Sequence, residues 1–194
     1  MKLVPTLATF LAAAALLAAC GQSTTPQAPT SAPNPNAPEP NAAGDIPDNQ
    51  VYVPFSPADH TFTVKVPEGW ARTTDGTATV FSDKFNSVRV EAAPRPQAPT
   101  VQTATAEEVP TLRALPGYKP GAVDPVKRTA GNGVLITYQA TSPADPVTGK
   151  TVTESVERYE FWHGGREIII TLTGPKGADN VDPWRTVTNS LRWP

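Results

Sequence analysis

Alternation of apolar and polar residues is the first pattern along the chain, and it predicts β-strands. Residues 62–66 place Phe, Val and Val at every second position, which is typical of a strand with one buried face. The same period predicts strands over residues 77–81 and 87–92. A break follows over residues 94–99, because the prolines there lack the N–H that a central strand donates.

Three longer apolar stretches predict a meander of antiparallel strands over residues 133–142, 151–162 and 166–173. The last two are joined around Gly164 and Gly165, whose freedom at positive φ suits a hairpin. Three consecutive isoleucines in the last strand indicate that both of its faces are covered. We therefore expect this strand near the middle of the sheet.

Two helices are predicted from capping signals. Thr105 and Glu108 fit a capping box for a first helix, which Pro110 kinks or delays. Asp182 and Pro183 fit the N-cap and the first position of a second helix. The order strands, helix, meander, helix predicts an α+β fold with an antiparallel sheet flanked by helices, because a doubly wound parallel sheet needs a helix in nearly every connection.

The composition changes before residue 51. Residues 20–50 hold seven of the 23 prolines, and Ile46 is their only large aliphatic residue. Such a segment buries too little apolar surface to offset the entropy of ordering, so we interpret residues 20–50 as a disordered linker and residues 51–194 as one globular domain. A Pro-rich recognition ligand is the alternative for the linker, but no basic flank accompanies its prolines.

The first residues have the layout of a secretory signal. Lys2 precedes an apolar stretch over residues 3–17 that carries no charge. The stretch ends in Leu-Ala-Ala-Cys at residues 17–20, which resembles a bacterial lipobox. This resemblance implies that residues 1–19 are removed as a signal peptide and that the thiol of Cys20 is acylated with diacylglycerol.

Lipidation at Cys20 predicts a lipoprotein that is anchored to the membrane and does not span it. Its lipid anchor, with palmitate-type acyl chains that each contribute about 0.8 kcal/mol per buried methylene, would hold it on the extracytoplasmic face of a bacterial cell membrane. Gly21 is not the aspartate that marks retention, so the inner and the outer membrane both stay open. The alternative is an ordinary signal peptide with a free thiol, but the single cysteine lies where a lipoprotein needs it.

Counts of residue types exclude several kinds of chemistry. One cysteine allows no internal disulfide, no thiolate zinc site and no iron–sulfur cluster. Two histidines and one methionine leave few ligands for other metals, and we expect no cofactor. Residues 51–194 hold fifteen basic and fifteen acidic residues without a basic cluster, so we expect no nucleic-acid partner.

Catalytic constellations find little support in the sequence. No serine lies in a Gly-x-Ser-x-Gly elbow, and His60 and His163 lie in predicted loops. Glu154, Glu157 and Glu160 share one predicted strand, where alternation places the first and last on one face. An envelope hydrolase that uses two of these carboxylates stays open as an alternative. Strand carboxylates near arginines more often form surface ion pairs, so we expect that the protein is not an enzyme.

Aromatic residues offer the remaining candidates for binding. Trp70, Trp184 and Trp193 lie at element ends, where such rings pack in a core. Trp162 and His163 lie at the predicted hairpin turn, and if exposed they would contact a protein partner or a glycan. A deep cleft between sheet and helix would instead favour a carrier of a small apolar ligand.

Several of these stretches together resemble a known fold family. Residues 62–70, 159–162, 168–175 and 190–193 are similar to PsbP-like and Mog1-like domains, and the layout resembles small bacterial lipoproteins that carry such a domain. The resemblance covers nearly all of residues 51–194. It implies an α/β/α sandwich, protein binding and no catalytic residues. We therefore expect a noncatalytic binding or assembly module that contacts an unidentified envelope protein.

Overall fold

The computed structural model describes residues 44–145 and 147–194. The predicted signal peptide, Cys20 and most of the predicted linker lie outside the described residues. The roles assigned to them stay predictions.

The described residues form two antiparallel sheets and two α-helices. The strands are β1 (Tyr52–Phe55), β2 (Val64–Pro67), β3 (Ala71–Asp75), β4 (Ala78–Asp83), β5 (Asn86–Pro94), β6 (Lys119–Arg128), β7 (Gly131–Thr141), β8 (Thr153–His163) and β9 (Arg166–Pro175). The helices are α1 (Val101–Leu112) and α2 (Val181–Asn189). The large sheet has the order β3-β4-β5-β9-β8-β7-β6, and β1 pairs with β2 in the small sheet.

The predicted meander of long strands is confirmed. β8 pairs with β7 and with β9 in continuous antiparallel register, without a bulge. β9 lies between β5 and β8, and its three isoleucines are all buried. The consecutive apolar run therefore marks a strand that is covered on both faces, as predicted.

Alternation does not predict β1, β3 and β6. All five residues of β3 are exposed, so no apolar period can mark it. β6 contains Pro120 and Pro125, which argue against a central strand, and it lies at the edge of the sheet. Edge strands lack the two buried neighbours that impose an apolar pattern on a sequence.

Helix α1 is present, but its predicted cap is wrong. The hydroxyl of Thr100 accepts a hydrogen bond from the backbone N–H of Thr103 at 3.1 Å, and Thr103 Oγ1 accepts one from the N–H of Thr100 at 2.9 Å. Two threonines thus form the reciprocal box that we predicted for Thr105 and Glu108. The helix begins earlier and continues through Pro110.

Helix α2 is also present, with Asn180 as its N-cap in place of the predicted Asp182. The Asn180 side chain does not cap the helix, because its Oδ1 accepts from the backbone N–H of Ile46 at 2.8 Å. Its Nδ2 donates to Asn86 Oδ1 at 3.0 Å, and Asn86 Nδ2 donates to the carbonyl of Gly44 at 2.9 Å. We call Gly44, Ile46, Asn86 and Asn180 the amide clamp.

The amide clamp fastens residues 44–50 to the domain, although the sequence places them in the linker. Ile46 is only 4% exposed and packs in the larger core. Folded structure therefore extends at least to Gly44, seven residues before the predicted domain start.

Alternate side chains of the large sheet form two apolar cores on its opposite faces. The core on the α2 face joins buried residues of β8, β9 and α2, among them Tyr159, Phe161, Ile168, Ile170, Leu172, Trp184 and Val187. The core on the α1 face joins β7, β8 and α1 through Val134, Ile136, Tyr138, Val156, Ala104, Val109 and Leu112. The predicted α+β class, an antiparallel sheet flanked by helices, is confirmed.

Candidate functional site

A buried network of charged side chains lies between the large sheet and α1. Because neighbouring strands pair in register, alternate residues of β5, β8 and β9 face the same helix. Three arginines and five glutamates interact there, namely Arg89, Arg95, Arg158, Glu91, Glu107, Glu108, Glu160 and Glu167. We call these eight residues the ion network.

Two arginines of the ion network tie α1 to the sheet. Arg158 Nη2 lies 2.8 Å from Glu108 Oε2 in α1, and its Nε lies 3.3 Å from Glu160 Oε1 in β8. Arg95 Nη2 lies 2.8 Å from Glu107 Oε2 in α1, and its Nη1 lies 3.3 Å from Glu167 Oε2 in β9. The side chains of Arg158 and Arg95 are only 12% and 16% exposed, so water screens their pairs with the buried Glu160 and Glu167 weakly. Glu107 is 57% exposed, so its pair with Arg95 is screened more strongly.

Two acids of the ion network are almost completely buried. Glu160 is 0% exposed and Glu167 is 3% exposed. Glu160 Oε2 and Glu167 Oε1 have no hydrogen-bond partner within the described part of the chain. Burial raises the pKa of Glu160 to about 7, although the nearby Arg158 guanidinium acts to lower it.

Glu167 responds to the same environment. Burial raises its pKa, and the Arg95 guanidinium opposes that rise. The negative charge of Glu167 in turn raises the pKa of Glu160. Near neutral pH, Glu160 therefore exists in both its neutral and its charged form.

The structure places the three predicted strand carboxylates on the faces that alternation assigns. Glu154 and Glu160 share the α1 face with Val156, whereas Glu157 lies on the α2 face with Tyr159. Burial raises the pKa of Glu154 to about 7, and this residue forms no ion pair with another described residue. Glu157 Oε2 accepts a 2.6 Å hydrogen bond from the Tyr159 hydroxyl.

These carboxylates do not meet in a cleft. The described residues form cavities of about 700, 340 and 210 Å³. Glu157 lines the smallest, and neither Glu154 nor Glu160 lines any of the three. A two-carboxylate hydrolase needs both groups beside one substrate bond, and this arrangement does not provide that geometry.

The largest of these three cavities is a groove at one end of the sheet, which we call the end groove. Its lining includes the apolar side chains of Ile46, Trp70, Phe85 and Val152. Three acids and two bases also line it, namely Asp45, Asp83, Asp145, Lys84 and Lys150. Apolar surface bordered by polar and charged side chains is the usual anatomy of a protein interface.

The two edges of the large sheet differ in their protection against further pairing. β6 carries Pro120 and Pro125, and its register is irregular after Pro120, which are features that block strand addition. Ala71–Asp75 contains no proline and, within the described chain, pairs only with β4. We call this strand the open edge. Trp70 directly precedes it and lines the end groove, so the two surfaces are continuous.

The predicted contact pair of Trp162 and His163 is divided between two sides of the sheet. Trp162 is half-buried, and its Nε1 donates to the carbonyl of Arg95 at 2.8 Å. The exposed His163 stacks on the ring of Trp193, with centroids 5.2 Å apart. Consecutive strand residues point to opposite faces, so these two side chains do not form one surface.

The described residues contain no membrane-spanning helix and no metal-binding cluster. Neither helix among them has the length and apolar character needed to cross a membrane. No group of three or more His, Cys, Asp or Glu within them is arranged to hold a metal ion. Asp145 is engaged by its own turn, where hydrogen bonds from the backbone and hydroxyl of Thr148 lower its pKa.

Comparisons with known proteins support the fold. No family model and no curated protein matches the chain. The solution structure of cyanobacterial PsbP from Synechocystis sp. PCC 6803 superposes with a TM-score of 0.54 at 12% identity, over 78% of this chain and 98% of that one. The domain has a PsbP-like fold.

Two further solved structures are similar to this PsbP-like domain. A protein from Bacteroides thetaiotaomicron has a TM-score of 0.51 at 14% identity over 73% of this chain, which spans about half, 48%, of that protein's length. The Saccharomyces cerevisiae Ran-binding protein Mog1p has a TM-score of 0.49 at 11% identity, over 74% of this chain and 96% of that one. Identities this low relate the proteins by fold alone.

Proposed function

We propose that the protein is an extracytoplasmic lipoprotein, anchored through Cys20, whose PsbP-like domain binds a protein of the cell envelope without catalysing a reaction. The lipobox at residues 17–20 supports the anchor. The observation that carries the binding role is the open edge with the end groove beside it. Together they offer free backbone groups and an apolar depression on one continuous surface.

The ion network supports binding over catalysis. A general acid or base must reach its substrate within hydrogen-bonding distance. Glu160 and Glu167 have the raised pKa values of a catalytic pair, but both lie buried beneath α1 and are paired with Arg158 and Arg95. Their geometry fits a role in holding α1 on the sheet.

Anchoring is tested by Cys20→Ser in the native host, followed by membrane fractionation. We expect the parent protein in the membrane fraction and the variant in a soluble or unprocessed form. Mass spectrometry of the purified parent should show an acylated N-terminal cysteine. A variant that stays in the membrane like the parent would refute the anchor.

Binding is tested with a photo-crosslinking residue placed at Thr73 in the open edge of the anchored protein in intact cells. The matched control carries the same residue at Asp124, which is exposed in β6 at the opposite edge. We expect a discrete adduct with an envelope protein from position 73 and none from position 124. Identical adduct patterns from both positions would refute a specific binding surface.

A carrier of a small apolar ligand is a second candidate, favoured by the volume of the end groove. About 700 Å³ lies within the range of small-molecule sites, about 300–1,000 Å³. Native mass spectrometry of the full chain purified in detergent tests this role. A bound lipid-like molecule that disappears in Trp70→Glu would support the carrier, and an empty protein would leave protein binding as the proposed role.

A further inference from the structure

We infer that the partner supplies an extended strand, which pairs with the open edge and places a large apolar side chain in the end groove. This inference rests on the proposed function and defines the chemistry of the partner. The segment is free of proline over the paired residues, and its apolar residue lies just beyond them, next to Trp70.

The backbone of the open edge defines this occupant. In an antiparallel pair, alternate residues direct their N–H and C=O groups away from the neighbouring strand. In Ala71–Asp75 these outward groups make no backbone hydrogen bond with any described residue. Only an extended segment with the same repeat can satisfy them in series.

The open edge has neither a proline nor a bulge, and its two charged side chains contact the domain. Natural edges are commonly guarded by charged side chains, prolines or bulges. The guanidinium of Arg72 lies 4.8 Å from the centroid of the Phe55 ring, and Asp75 Oδ2 lies 3.3 Å from Arg89 Nε. Both charged residues of β3 are thus engaged within the domain. The opposite edge has its prolines and irregular register, so the contrast lies within one sheet.

The end groove selects against two occupants supplied by this chain. A second copy that paired antiparallel through its own open edge would bring Gly76 and Thr77 toward the groove, and these offer no large apolar side chain. Residues 21–43 contain alanines and prolines but no large apolar residue. A separate protein with an apolar residue at the end of its strand satisfies both surfaces.

The test begins with a phage-displayed library of random nine-residue peptides, selected against the full chain in detergent micelles. Hydrogen exchange is then measured with and without a selected peptide. We expect new protection at the outward amides of Ala71–Asp75. The amides of the selected peptide are then methylated one at a time. Methylation of an N–H that points toward the open edge should weaken binding about tenfold, and methylation of an N–H that points away should have little effect.

Protein variants complete the test. Two proline variants are compared, Thr73→Pro and Thr74→Pro. Because the N–H groups of successive strand residues alternate in direction, one variant loses an outward N–H and the other loses a hydrogen bond to β4. We expect the outward variant to keep the melting temperature of the parent and to lose binding at least tenfold. Trp70→Ala should weaken the binding of a peptide that carries the large apolar residue at least tenfold. The loss of affinity should be smaller for the same peptide with alanine at that position.

Each outcome is decisive. Protection of other amides, or no effect of peptide methylation, would refute strand pairing and leave protein binding intact. A library without any binding peptide would count against the proposed function itself. A concentration-dependent dimer with protected open-edge amides would assign the edge to a second copy and overturn the inference.

Discussion

Replacement of Glu160 by Gln should remove a large pH-dependent loss of stability. The Glu160 carboxyl has a pKa of about 7 in the folded domain, against an ordinary value of 4.5, because burial disfavours its charged form. Its stabilising contribution is complete below pH 4.5 and is lost as the pH rises through 7. The difference corresponds to about 3 kcal/mol of unfolding free energy over that window.

Gln keeps the shape of the side chain and does not ionise, so Glu160→Gln should lack this slope. Urea unfolding followed by tryptophan fluorescence measures the free energy of unfolding at pH 4, 6 and 8 and at constant salt. We expect the variant to gain about 3 kcal/mol relative to the parent between pH 4 and pH 8. Arg158 should keep its bridge to Glu108 in the variant, because that contact does not involve Glu160.

Glu107→Gln is the matched control, because Glu107 belongs to the same ion network but its side chain is 57% exposed. This control keeps Glu160, so it should keep the loss of stability that Glu160 causes between pH 4 and pH 8. Parallel profiles for Glu160→Gln and the parent would refute the reasoning. So would a carboxyl titration by NMR that placed the pKa of Glu160 near 4.5.

Three substitutions test other parts of the domain, each by urea or thermal unfolding. Gly174→Ala would place a Cβ 2.6 Å from Asn180 Nδ2 and 2.7 Å from Asn86 Oδ1. We expect it to lower the free energy of unfolding by about 1–3 kcal/mol, and unchanged stability would contradict this close packing. Ile46→Ala should cost about 2–5 kcal/mol, whereas a linker residue would cost nothing. Thr100→Ala should cost about 1 kcal/mol, and no loss would argue against this residue as the cap of α1.

The parts of the fold that the sequence predicts are those where burial imposes a regular period. β7, β8 and β9 lie inside the sheet, and their apolar patterns reveal them. β3 is fully exposed and β6 contains prolines. Both features are allowed because each strand lies at an edge of the sheet, where burial does not impose an apolar pattern. The cap of α1 was misplaced because Thr100 and Thr103 satisfy the same hydrogen bonds as a threonine and a glutamate.

The candidate site was predictable only in part. Alternation assigns Glu154, Glu157 and Glu160 to the correct faces, but the bridge from Arg158 to Glu108 joins residues fifty positions apart and needs the packing of α1. No local pattern marks Glu160 as buried, because alternation directs its aromatic neighbours Tyr159 and Phe161 to the opposite face of the sheet. The same alternation, applied to Trp162 and His163, would have separated them.

The amide clamp determines how the domain responds to mechanical load. Tension applied to the chain upstream of Gly44 enters the fold through hydrogen bonds to Asn86 at the start of β5 and to Asn180 at the start of α2. These two elements are far apart in sequence, and both bear the force. Ile46 is buried in the adjoining core. A force on residues before Gly44 therefore loads the hydrogen bonds of the amide clamp and the packing of Ile46 together, before it reaches a strand of the sheet.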